Sequence, residues 1–160
     1  SKIGSDPELT PSNVYDELEA IRAYMQRRAP RKMVFDFPDP NSEPIMASVN
    51  SHLLQWVFEN LIRNSIDAME TGKGTITAKV NLVGNKIEIL LSDTGSGIPP
   101  SKLKTVFEPG FSTKKRGWGL GLSLAKRIID EYHSGKIFVK ESEVGKGTTF
   151  SIQLGQMHQN

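Results

Sequence analysis

Three polar residues, Asn60, Asn64 and Asp67, fall at i, i+4 and i+7, so on a helix they stack in one stripe. A row of amide and carboxylate oxygens suits a hard cation such as Mg²⁺. The same residue types also border apolar helix faces for solvation alone, so the stripe by itself leaves both readings open. A second candidate is Asp93-Thr94-Gly95-Ser96-Gly97-Ile98. Asp93 continues the alternating series Ile87, Ile89, Leu91, which turns its carboxylate toward the apolar side of a strand. An ionised carboxylate buried there needs a donor. The amino group of an adenine, with an ordered water beside it, would supply one. A Gly-rich turn that merely starts at Asp93 is the alternative, because D-x-G is frequent in turns.

Gly117-Trp118-Gly119-Leu120-Gly121-Leu122 runs directly into a helical pattern. Glycines let the backbone approach a ligand, and a helix N-terminus favours phosphate. The run follows no strand of a parallel βαβ unit and lacks a G-K-[ST] ending, which disfavours Rossmann and P-loop sites. Lys114, Lys115 and Arg116 just before it could meet phosphates or simply be solvated. Finally, in Gly145-Lys146-Gly147-Thr148-Thr149-Phe150, Thr148 is in phase with Phe150, Ile152 and Leu154, placing its hydroxyl inward. Asp93 and Thr148 thus converge from separate strands on one interior site, which chance explains less readily than it explains either residue alone.

The elements that must position these groups are legible as periodicities. A helix is expected from Val14 to Arg27, capped by Ser12 or Asn13 and ended by Pro30, and a longer one from Ser51 to Met69, closed near Gly72. Lys32 to Phe37 reads as a strand, with Pro44 to Val49 as its expected hairpin partner. Ile76, Ala78, Val80 and Leu82 share one strand face, Ile87, Ile89 and Leu91 another, and Gly84-Asn85 turns between them. The stretch from Gly95 to Gly121 has few core residues, as functional or disordered loops do. A helix from Leu122 to Tyr132 and strands from Lys136 to Lys140 and Thr148 to Leu154 complete the order. That order predicts an α/β two-layer sandwich, one mixed sheet with helices packed on one face.

Composition narrows the classes. The 160 residues are 37% hydrophobic and 24% charged, which supports a core and argues against disorder. Lys and Arg number 20 against 18 for Asp and Glu, a balance that disfavours a dedicated nucleic-acid binder. The absence of cysteine excludes disulfides, zinc ribbons and thiol nucleophiles. No apolar run approaches the ~20 residues of a membrane span and no signal peptide opens the chain, so a cytoplasmic segment without membrane contact is expected. The first residues, Ser1 to Ser5, look like a cut inside a longer protein. The expected organisation is a remnant of an upstream helix or linker over 1–10, a domain over 11–155 and a tail over 156–160.

Taken together, these motifs resemble the ATP-binding catalytic domain of sensor histidine kinases, within the gyrase, Hsp90, histidine kinase and MutL ATPases. Glu59 to Ala68 is similar to the N box, Asp93 to Ile98 to the G1 box, Val106 to Lys114 to the F box, Gly117 to Leu122 to the G2 box, and Gly145 to Phe150 to the last glycine box. The resemblance covers about two thirds of the chain. It implies a five-stranded mixed sheet covered by three helices. Asn64 would coordinate Mg²⁺, Asn60 would lie beside the phosphates, and both would be catalytic, with Asp67 beside them. Asp93 would bind the adenine amine, Gly97 would let the base lie on the backbone between Gly95 and Ile98, and Thr148 would hold the shared water. The segment from Pro99 to Trp118 would be a mobile lid anchored by Phe107 and Phe111. Lys114, Lys115, Gly117, Gly119, Leu120, Gly121 and Leu122 would line the nucleotide.

The resemblance further implies transfer of the γ-phosphoryl group of ATP to a histidine on an upstream dimerisation domain. From there it would pass to a response-regulator receiver domain, in a homodimeric parent that could be membrane-anchored. Two departures stand out. Trp118 occupies a G2 position that is often small in the family. None of His52, His133 and His158 has the acidic neighbour and helical setting of a phosphoacceptor. Rival readings are a gyrase-, Hsp90- or MutL-type ATPase, an anti-sigma-type serine kinase, and a degenerate binding module. The ATPases carry a water-activating Glu four residues before the Mg²⁺-binding Asn, where this chain has Asn60; Glu59 is roughly 100° around the helix.

Overall fold

The computed structural model describes residues 6–109 and 121–158. Helix α1 spans Val14–Gln26 and buries Val14, Leu18, Ile21 and Met25, the three- and four-residue series of one face. Asn13 caps it, its side-chain oxygen accepting the Tyr15 N–H at 3.1 Å. Helix α2 spans Ser51–Ala68 and buries Leu54, Val57, Phe58, Leu61 and Ile62. Its cap is Asn50, which accepts the Leu53 N–H at 3.0 Å. Helix α3, Gly121–Arg127, runs into a π-helical turn over Ile128–Tyr132. The single helix expected from Leu122 to Tyr132 therefore has two pitches. The wider turn carries His133 inward, where Nδ1 donates to the Ile128 carbonyl at 2.9 Å and Nε2 accepts the Asn50 N–H at 3.1 Å. That bond ties the end of one helical segment to the start of α2.

The strands are β1 (Thr10–Asn13), β2 (Met33–Asp36), β3 (Met46–Val49), β4 (Gly74–Val83), β5 (Lys86–Asp93), β6 (Lys136–Glu143) and β7 (Gly147–Gly155). Five of them form a mixed sheet in the order β2-β4-β5-β7-β6, with β2 parallel to β4 and the other neighbours antiparallel. Ile76, Ile87, Ile89, Leu91, Ile137, Phe150, Ile152 and Leu154 share one core with the apolar faces of the helices. This is the two-layer α/β sandwich that the order of elements predicts.

Two sequence expectations fail. The segment from Pro44 to Val49 is not the hairpin partner of β2. Instead β3 pairs antiparallel with β1, from Thr10 opposite Val49 to Asn13 opposite Met46, while β2 joins β4. The connection holds Pro38, Pro40 and Pro44, which donate no backbone hydrogen bond, and a turn in which Asp39 accepts the Asn41 N–H at 2.8 Å. The chain is thereby led away from β2. Leu82 does not join the buried face of β4 and is 51% exposed, although Ile87 opposite it is buried: β2 pairs with β4 only as far as Thr77, which leaves this end of β4 at the edge of the sheet.

The sheet's outer face carries a buried acid. Glu88 on β5 accepts from Lys140 Nζ at 2.9 Å and from Ser151 Oγ at 2.8 Å. The hydrogen bonds from Lys140 and then Ser151 hold its carboxyl below the ordinary glutamate range. A lowered folded-state pKa stabilises the fold above the unfolded-state pKa, and that stability is lost as pH falls through the folded one. Glu88→Gln should cost about 1–2 kcal/mol in urea denaturation at pH 7. The difference from the parent chain should shrink once pH drops below about 4. A gap that stays constant down to acid pH would refute the charge-based account.

Candidate functional site

Asp93 ends β5 on its inner face, paired in register with Ile76 and 8% exposed. Its Oδ1 accepts the Gly95 N–H at 2.9 Å and the Thr148 N–H at 3.3 Å. The acid is thus fixed by backbone donors from its own turn and from β7, as a buried carboxylate requires. Thr148 is also buried, and its hydroxyl lies 2.8 Å from Ser142 Oγ of β6. Ser142 Oγ in turn accepts the Ile98 N–H at 2.8 Å. One hydrogen-bonded chain therefore links the Gly-rich turn after β5 to the facing strands.

That turn is wedged between two supports. The Ser96 N–H donates to the Ala68 carbonyl at the end of α2 at 2.9 Å, and the Ser96 carbonyl accepts the Gly145 N–H at 2.8 Å. A Cβ on Gly95 would lie 2.7 Å from the Ala68 Cβ, so only glycine fits. Gly97 has φ +77°, and a Cβ there would strike the Glu143 carbonyl. Both glycines thus allow close approach of one backbone segment to another.

The stripe on α2 forms a second wall. Asn60 and Asn64 are half-buried and Asp67 is exposed. Asn60 Nδ2 donates to the Trp56 carbonyl at 2.8 Å, which turns Oδ1 away from the helix. A Cβ built on Gly121, at the start of α3, would sit 3.0 Å from that oxygen. The amide oxygen of the stripe and the first turn of α3 are thereby neighbours. Glu59 is engaged elsewhere, 2.8 Å from Arg63 on the exposed side of α2. Phe107 stands edge-on to Phe150, with ring centroids 6.1 Å apart, and so joins the core next to this cleft. Ile98 and Leu122 also pack on the core.

The structure brings together Asp93, Thr148, Gly95, Gly97 and Ile98 at one end of the cleft, and Asn60 with Gly121 at another. Phe111, Lys114, Lys115, Gly117, Trp118, Gly119 and Leu120 lie outside the described residues. Ser142 joins the site without any mark in the sequence. Strict alternation from Ile137 and Val139 puts Glu141 inward, whereas a β-bulge after Val139 puts Ser142 there. His133 has both ring nitrogens engaged in structural hydrogen bonds, which suits a packing role. Among the described residues, no helix is long and apolar enough to cross a membrane.

A mixed sheet covered by helices, with a buried acid, a hydroxyl pair and an amide stripe around one cleft, defines a nucleotide-binding domain of a known kind. Residues 49–157 match the family of histidine kinase-, DNA gyrase B-, and HSP90-like ATPases, and the chain belongs to it. Sporulation kinase C of Bacillus subtilis is 39% identical over 109 residues, 68% of this chain and 25% of that protein. Sporulation kinase E of the same organism is 42% identical over 111 residues, 69% of this chain and 14% of its own length. The chain thus spans a quarter or less of these relatives. The solved catalytic domain of histidine kinase ThkA superposes with a TM-score of 0.81 at 26% identity, covering 93% of this chain and 96% of that one. The fold is that of histidine kinase catalytic domains, and the family supplies ATP binding as its shared property.

Proposed function

We infer that this chain is the ATP-binding part of a sensor histidine kinase, holding Mg·ATP and presenting the γ-phosphoryl group to a histidine on a separate upstream domain. The observation that carries the reading is Asp93, buried and backbone-fixed beside the Thr148–Ser142 hydroxyl pair. A carboxylate oriented in this way is suited to accept from the amino group of adenine, and Thr148 to hold a water against the ring. The amide oxygens of Asn60 and Asn64 fit a metal that keeps several waters and takes phosphate oxygens as further ligands, with Asn64 as the protein ligand. When bound, such an ion neutralises charge on the phosphates. The chain's own contribution is to orient base and phosphates so that an incoming nucleophile meets the terminal phosphorus in line.

Relay to a response-regulator receiver domain, a homodimeric parent, a cytoplasmic location and an upstream helix or linker of which residues 1–10 are the remnant belong to the same reading. Histidine kinase ThkA has been solved in complex with response regulator protein TrrA. The ATPase-type alternative is less well supported. Asn60 cannot take a proton from water, and the Glu59 carboxylate is paired with Arg63. The test is incubation with γ-labelled ATP, first of the chain alone and then with the parent's upstream histidine domain in trans. Alone, the chain should bind nucleotide, hydrolyse it very slowly and remain unlabelled; with the added domain, label should appear on that domain. Strong self-labelling, or fast phosphate release abolished by Glu59→Ala, would instead support the ATPase reading.

A further inference from the structure

We propose that the outer-face ion pair Glu88–Lys140 pins the β-bulge that aims Ser142 at Thr148, making Lys140 and Ser142 positioning residues for base recognition on the opposite face of the sheet. This rests on the adenine reading of Asp93 and Thr148 given above.

The register shows what the bulge does. Val139 stands opposite Phe150, Glu141 opposite Thr149 and Ser142 opposite Thr148, so β6 uses three steps where β7 uses two. Lys140 is the extra residue. A one-residue shift exchanges the faces of a strand. Without the insertion, Glu141 would take the inner place opposite Thr148, setting a second carboxylate near buried Asp93. With it, Glu141 is exposed and the inner place goes to a hydroxyl of the right size to bridge Thr148 and the Ile98 N–H, each at 2.8 Å.

A bulge lacks one rung of the ladder and needs other contacts to hold its position. Here Lys140 Nζ reaches across to Glu88 Oε1 on the central strand β5, while Ser151 on the intervening β7 bonds Oε2. The contact joins three adjacent strands, running diagonally from the insertion beside Phe150 and Thr149 to Glu88, which stands opposite Gln153. It is also asymmetric: the Glu88 side chain is 8% exposed and that of Lys140 46%. Removing the lysine therefore leaves a nearly buried carboxylate short of its main partner, which favours rearrangement of the bulge over simple solvation.

The experiment compares binding of ADP and of inosine diphosphate, which carries a carbonyl oxygen in place of the amino group, to the full chain by calorimetry. The parent chain should prefer ADP. Ser142→Ala and Lys140→Met should each reduce that preference about three- to tenfold, chiefly by weakening ADP, and Lys140→Arg should restore it. A merely stabilising ion pair would lower the melting temperature of Lys140→Met and leave the preference intact, and that result would overturn the proposal. An equal loss for both nucleotides would do the same. Amide exchange gives a second measure should Lys140→Met fold poorly: in Glu88→Gln, Ile98 should lose protection relative to Leu91, and unchanged protection would count against the proposal. A parent chain that binds both nucleotides equally would overturn the adenine reading itself, and is distinguishable because no variant is needed to see it.

Discussion

Asp93→Asn should lower ADP affinity about ten- to a hundredfold while leaving the fold in place. The substitution keeps the shape of the side chain and an oxygen for the Gly95 and Thr148 N–H groups, which lie 2.9 and 3.3 Å from Oδ1. It removes the negative charge and replaces one acceptor by a donor. The amine of adenine then meets either a neutral oxygen or another N–H. A hydrogen bond to a charged group contributes roughly 1.5–3 kcal/mol, which sets the expected range of affinity loss. Calorimetry with ADP is the measurement, and circular dichroism checks the fold. Unchanged affinity in a folded variant would remove Asp93 from base recognition.

Asp93 is legible in the amino-acid sequence because of a simple rule. Alternation along β5 is unbroken from Ile87 to Asp93, so the acid inherits the inward phase of its apolar predecessors. Thr148 is legible for the same reason, because β7 alternates without interruption through Phe150, Ile152 and Leu154. The stripe of α2 follows from helical geometry alone. Ser142 fails this rule because a bulge changes the phase of β6, and Val139-Lys140-Glu141-Ser142 carries no glycine or proline to mark the insertion. The β1–β3 pairing is hidden for another reason. Thr10-Pro11-Ser12-Asn13 has no apolar alternation, so its strand character comes only from the partner supplied by Met46–Val49. The family resemblance assigns Gly97 to the ligand, whereas the close neighbour that forbids a Cβ is the backbone of Glu143 and Val144. That contact joins segments far apart in the chain, and no local pattern announces it.

The same contact gives Gly97→Ala a large expected effect near the cleft. Its φ of +77° lies in the left-handed region, where an alanine costs about 1–2 kcal/mol. The added Cβ would also collide with the Glu143 carbonyl and come within 2.9 Å of the Val144 nitrogen, both backbone atoms. Retreat is blocked on either side, since the Ser96 carbonyl holds the Gly145 N–H and the Ile98 N–H is bound to Ser142, both at 2.8 Å. Relief therefore breaks at least one of these bonds and moves the turn that follows Asp93. A loss of about 2–4 kcal/mol in urea denaturation is expected, with ADP affinity falling at least about tenfold. Gly84→Ala is the matched control. Its φ is +62°, yet a Cβ there meets nothing within 4 Å among the described residues. It should show only the conformational cost, about 1 kcal/mol, and normal ADP binding. If Gly97→Ala proves no worse than Gly84→Ala in both measurements, the turn after β5 is not held against the β6–β7 connection in the way these contacts require.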